Sequence, residues 1–272
     1  RCGEAVGYAV LAVVGVILTV SAASSRDRPL AAGLWATWIP AGQILAAMLA
    51  ALLPEGDWRT MWTLGLVFTL AMAVWGALLT GSGAFSGASP ATESTAAMRP
   101  LPTPRRGLIA ASAAVFALWS AQFIAYMTWL PQFLAETHDL KMTEIAGGYA
   151  LVPAMIILFN LVAVALLRMG IGIGKLMTGA LVIQALLWFM MPHTHSLAGG
   201  VAALACYGMA SGIVPTCLFS LPHLLADSQQ GQARAYGVLM TGRNLGALLG
   251  PVLLPQIRLL TGSWNGRLNR QV

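Results

Sequence analysis

Residues 146–167 read AGGYALVPAMIILFNLVAVALL, without one charged side chain. A run of that length, coiled as an α-helix, spans the roughly 30 Å hydrocarbon core of a bilayer. Helix is the required form, because lipid offers no partner to a backbone N–H or C=O. Comparable runs recur at about 5–24, 31–53, 60–80, 108–130, 174–191, 197–221 and 235–257. They are about twice as long as a barrel strand and do not alternate apolar with polar, which argues against a β-barrel. The expected fold is therefore all-α, a polytopic transmembrane bundle of about eight spans.

Composition agrees. Of the 272 residues, 58% are hydrophobic and 9% are charged, against about 25% charged in an ordinary soluble domain. A soluble surface cannot be built from so little charge. The net charge of +6 raises nucleic acid as a partner, but the basic residues stand singly in loops and form no stripe, so none is expected. The expected surroundings are the lipid bilayer, as in a bacterial-type plasma membrane. Cys2, Cys206 and Cys217 sit in apolar segments and read as small packing residues, with no disulfide framework or metal site implied.

Residues 82–107 interrupt the pattern. They are rich in Gly, Ser, Pro, Ala and Thr, end in Pro104-Arg105-Arg106, and read as a linker. The chain divides into 1–81 with three spans, the linker 82–107, and 108–272 with five spans and a polar tail. Numbering the loops alternately puts Arg26, Arg28, Arg99, Arg105, Arg106, Arg168, Lys175 and Arg234 on one side, and Arg59, Lys141, Arg267 and Arg270 on the other. The richer side is expected to be cytoplasmic, the linker with it. Trp58, Trp62, Trp129 and Trp264 then fall near the outer interface. Arg1 stands almost inside the first span, so the sequence reads as a piece of a longer chain.

Charge at bilayer depth costs on the order of 2.5–3.5 kcal/mol and must face protein or water. Arg1 and Glu4, three apart on one helix face, can pair with each other. Arg243 lies within the last span, followed by Asn244, with no acidic residue near in sequence. It is a candidate for a substrate pathway or anion contact; bonding to helix carbonyls is the alternative. Gln43, Gln122, Tyr126, Asn160 and Gln184 are uncharged polar residues within spans, each readable as interhelical glue. Gln122 and Tyr126, one turn apart, could together line a cavity. Gly242, Gly246 and Gly250 recur every fourth residue and predict a ridge for close helix packing. Pro40, Gly42, Gly208, Gly212 and Pro215 mark helices that can bend. His138, His193, His195 and His223 form no catalytic set, and Gly170-Ile171-Gly172-Ile173-Gly174 follows no strand, so no enzyme, cofactor or metal is expected.

Several stretches resemble the major facilitator superfamily of secondary transporters, and within it the cyanate-permease-like branch. Arg1-Cys2-Gly3-Glu4-Ala5-Val6-Gly7 resembles the fourth-helix motif, with Ala5 in place of the usual Gly. Gly33-Leu34-Trp35 and Trp38-Ile39-Pro40-Ala41-Gly42 resemble the start of the fifth helix, and Trp58-Arg59-Thr60-Met61-Trp62 that of the sixth. Thr128-Trp129-Leu130-Pro131-Gln132-Phe133-Leu134 resembles the end of the seventh, and Gly242-Arg243-Asn244-Leu245-Gly246 the eleventh. The resemblance implies a twelve-helix fold of which this chain covers about helices four to eleven, two halves rocking about a central site.

It also implies secondary active transport of a small solute by alternating access, with Arg1, Glu4, Gln122, Tyr126, Asn160, Arg243 and Asn244 near the pathway. Arg243 and the branch point to a small anion, and a proton is the expected coupling ion. The rival readings are proton-coupled efflux of drug-like compounds, a non-transporting membrane subunit, and an inactive truncated remnant.

Overall fold

The computed structural model describes residues 2–24, 26–53, 57–81, 103–138, 142–190, 196–226 and 228–261. Among these residues the chain is helical and contains no strand. The helices are α1 (Cys2–Ala22), α2 (Arg28–Ala36), α3 (Trp38–Leu52), α4 (Trp58–Gly81), α5 (Thr103–His138), α6 (Met142–Arg168), α7 (Ile173–Met190), α8 (Leu197–Leu225) and α9 (Gln229–Thr261). Seven stretches, from 28–50 to 230–260, are long and apolar enough to cross a bilayer, and α1 coincides with the first apolar run. The fold is a polytopic membrane helix bundle.

The run at 31–53 is not one straight helix, as its hydropathy suggests. It breaks at Thr37, between α2 and α3. Pro40 has no N–H for the carbonyl of Ala36, and its ring crowds that turn. The Thr37 amide and its Oγ1 turn back to Leu34 O instead, the hydroxyl at 2.7 Å. Of the expected linker, residues 82–102 lie outside the described residues, while 103–107 form the first turns of α5. The tail beyond Thr261 also lies outside them.

The helix ends show why the elements stop where they do. Gly170 has φ 87°, a left-handed conformation that glycine adopts without a Cβ penalty. There Ile171 N–H reaches Leu166 O and Gly170 N–H reaches Leu167 O, both at 3.1 Å, closing α6 with a Schellman motif. Ser196 and Ser228 cap α8 and α9, accepting from the amides of Gly199 and Gly231.

The chain forms two compact units, Arg1–Ala47 with Leu101–Val272, and Met48–Pro100. In the first, α5 lies along α9, α6 along α8, α7 on α8, and α2 against both α6 and α8, with α1 on α2. Lipid tails are as apolar as leucine, so these helices associate through close packing and interhelical hydrogen bonds. Small residues make the approach close. A Cβ at Gly242, Gly246 or Gly250 would collide with the carbonyls of Ala113, Ala117 and Ala121 on α5, and one at Gly208 or Gly212 with those of Val152 and Ile156 on α6. Helix α8 is the most buried, holding Tyr207, Val214 and Leu218 in the core. Leu186 and Phe189 of α7, and Leu248, Leu249 and Leu253 of α9, face outward, as a lipid-contacting surface requires.

In the second unit, Asp57 Oδ1 accepts from the amide of Thr60 at 3.2 Å and caps α4. The Thr60 hydroxyl and then its amide hold the Asp57 carboxyl below its usual value. The side chains of α4 from Trp62 to Leu79 are exposed and almost wholly apolar.

Candidate functional site

The site grows from the ridge of α9. Because Gly242 and Gly246 let α9 settle on the backbone of α5, the residue between them, Arg243, is carried into the bundle and is 5% exposed. Its Nη1 donates to Oδ1 of Asn244 at 3.0 Å. Beside it lies a cavity of about 40 Å³, lined by Arg243, Trp35, Trp38, Trp119, Ser120 and Phe123 among others. Trp119 and Phe123, one turn apart on α5, stack with ring centroids 5.1 Å apart. Trp35 and Trp38 meet at 5.7 Å across the break between α2 and α3. Ile156 of α6 and Pro215 of α8 complete the wall.

The lining residues of α5, α6 and α9 fall near the middle of their helices; in transporters, sites form near the bilayer midplane. A guanidinium there, among aromatic walls of low dielectric, exerts a field that water does not screen as it would at a surface.

The other polar residues singled out in the sequence go elsewhere. Gln122 Oε1 accepts from Trp188 Nε1 at 2.7 Å and from Tyr207 OH at 2.8 Å, tying α5 to α7 and α8. Tyr126 packs its ring 4.3 Å from that of Tyr207. Below them Gln184 Nε2 donates to Ser211 Oγ at 2.7 Å. Gln122 also borders a groove of about 550 Å³ between α5, α7 and α9, with Gln184, Trp188 and several leucines. Asn160 is fully buried and accepts from Thr216 Oγ1 at 3.0 Å, joining α6 to α8. Thus Arg243 and Asn244 come together, Gln122 and Tyr126 share a second cluster, and Asn160 forms a third. Arg1 lies outside the described residues, as does the side chain of Glu4, whose backbone belongs to α1.

Sequence reading did not place Trp119, Ser120 and Phe123 at the site. The i, i+4 spacing of Trp119 and Phe123 was legible as a stripe, but a stripe does not say what it faces. Trp35 and Trp38 stood out only as part of a motif.

The sequence profile of the Major Facilitator Superfamily matches residues 1–251. No curated protein and no solved structure matches the chain significantly. The matched region takes in the helices that wall the cavity. The match covers well over half of the sequence, and the chain belongs to the Major Facilitator Superfamily, whose members are secondary transporters of solutes.

Proposed function

We propose that the solute is a small anion, carried by alternating access, with Arg243 as its charge partner. One observation carries this reading: an almost fully buried guanidinium borders a cavity of about 40 Å³ at the middle of the bundle. Roughly 10–15 Å³ is the least a cavity needs to hold one water, so this one suits a ligand of a few atoms. That size favours a small anion over a drug-like compound. The rival reading, proton-coupled efflux of larger molecules, would draw on the 550 Å³ groove beside Gln122 and Gln184.

The sequence supports the finer parts of the proposal. These are membership of the cyanate-permease-like branch, a bacterial-type plasma membrane, a cytoplasmic linker at 82–107, two helical halves either side of it, and a proton as coupling ion. Arg1 and Glu4 would tune the geometry of α1, while Gln122, Tyr126 and Asn160 would hold the helices that move.

The test is uptake of radiolabelled anions into vesicles carrying the protein, with Arg243→Gln and Arg243→Lys. Loss of uptake in the Gln variant, with part of it kept by Lys, is expected. An Arg243→Gln protein that is folded and transports at wild-type rate and affinity would refute the role of Arg243.

A further inference from the structure

A second cluster of polar groups lies where α2, which precedes the linker, packs against α6 and α8, which follow it. At the end of α6, Arg168 Nη2 holds Asp27 Oδ1 at 2.8 Å just before α2. Arg28 begins α2, and its Nε is buried without a hydrogen-bond partner. Its charge reaches His223, near the end of α8, and Tyr236 of α9. The His223 ring stands edge-on to that of Tyr236, with centroids 5.8 Å apart. Tyr236 OH is taken up by Phe219 O at 2.7 Å. Gln232 of α9 also acts on the His223 ring, while its Nε2 donates to Ala226 O at 3.1 Å. Yet both ring nitrogens of His223 are enclosed with no partner at hydrogen-bonding geometry. Asp227, four residues on, lies outside the described residues.

A neutral imidazole carries one donor and one acceptor, and the imidazolium two donors. Adding a proton to His223 in place would set a second cation near Arg28, with no acceptor aligned to either N–H. A buried charge must be paired or reach water. Here the ring reaches water only if the end of α8 parts from the start of α2. We infer that His223 and Arg28 form a proton-sensitive latch between the helices before and after the linker. With the ring neutral, α2 and α8 stay closed at this end of the bundle. Uptake of one proton by the ring nitrogen that holds the lone pair drives them apart, and the proton returns to water when they close. Histidine suits the task because its charge changes between about pH 5 and 8. The Asp27–Arg168 pair, half exposed on both sides, holds the same contact without a part in the titration. The inference rests on the alternating-access reading, which needs an end that opens, and not on the identity of the solute.

The experiment measures the distance between spin labels on the purified full chain in lipid nanodiscs, from pH 8 to pH 5, with no solute added. The labels sit at Arg26→Cys and Leu224→Cys, both exposed positions, with Cys2, Cys206 and Cys217 replaced by Ala. The fraction at long distance should rise about threefold or more as pH falls. In His223→Gln it should stay at its pH 8 level throughout, and His223→Asn serves if the Gln variant does not fold. Arg28→Gln removes the repulsion and should at least halve the rise. Asp27→Asn should raise the open fraction at every pH and keep the rise, and Asp227→Asn should also keep it. A flat profile in the parent overturns the latch. So does an equal rise in His223→Gln, or a rise lost in Asp227→Asn with His223 intact, since the titrating group is then elsewhere. A full rise in Arg28→Gln overturns the pairing of the two cations. Anion uptake that persists beside a flat profile leaves the transport reading standing without the latch. A full pH response in a chain that carries no anion upholds the latch and removes the anion reading.

Discussion

The indole of Trp35 occupies the space that a β-carbon at Gly15 would fill. None of the described side chains of α1 lines the cavity, yet by leaving position 15 bare the helix sets where the Trp35 wall stands. Gly15 is thus a positioning residue. Gly15→Leu should push the ring toward Arg243 and lower apparent anion affinity about tenfold, with overpacking costing about 1–3 kcal/mol of stability. Gly7 has open space around it, so Gly7→Ala is the control. Binding by Gly15→Leu at wild-type affinity would show that the wall adapts.

The ridge on α9 makes a second prediction. At Gly246 an added Cβ meets the Ala117 carbonyl and the Ala121 amide, both backbone atoms that cannot step aside. Gly246→Leu should therefore separate α5 from α9 and destabilise the bundle by about 1–3 kcal/mol or more. Thermal unfolding in detergent measures it, and an unchanged midpoint would mean the two helices are not held this closely.

Gln122 is asymmetric with its donors. Gln122→Leu removes the acceptor shared by Trp188 Nε1 and Tyr207 OH, and should cost about 1–3 kcal/mol. Tyr207→Phe removes one donor and leaves Gln122 still bonded to Trp188, at about 0.6 kcal/mol, the average for interhelical bonds in membranes. Equal costs for the two variants, read from unfolding curves and their double mutant, would show that Gln122 Oε1 is not the shared acceptor.

Gly170 ends α6 at φ 87°. Gly170→Ala should cost about 1 kcal/mol, since alanine must adopt the same left-handed conformation. Gly172, two residues on, has no positive φ and open space around it, so Gly172→Ala should be close to neutral. The pair, compared by unfolding midpoint, isolates backbone strain from any effect on the loop.

Asp57 gives a pH dependence with a definite sign. Its carboxyl is held below the usual 3.8 by the Thr60 hydroxyl and amide. A lowered folded pKa means the cap stabilises the start of α4 above the unfolded value and loses that contribution as pH falls through the folded one. Amide exchange at Thr60 should rise only at acid pH in the wild type. In Asp57→Ala it should be fast at all pH; slow exchange there would exclude the cap.

The membrane class, the positions of the helices and the break near Pro40 were legible in the sequence, because each follows from local chemistry. A lipid solvent demands unbroken apolar helices, a proline removes one amide, and glycines every fourth residue leave a flat face. Sequence also singled out Arg243, since a charge within a span must be met somewhere. Tertiary packing alone decided what meets it. Trp35 comes from before the linker, Trp119 and Ser120 from the helix after it, and Arg243 from more than a hundred residues further on, so no local pattern could bring them to one cavity. The same packing separated residues that looked alike in sequence. Asn160 is as buried as Ser120, but its Oδ1 found a partner on a neighbouring helix at 3.0 Å, whereas the Ser120 hydroxyl, like the Asn160 amide nitrogen, did not. Whether a polar group in a span is glue or part of a site depends on which backbone or side chain stands opposite, and that is set by how the helices cross.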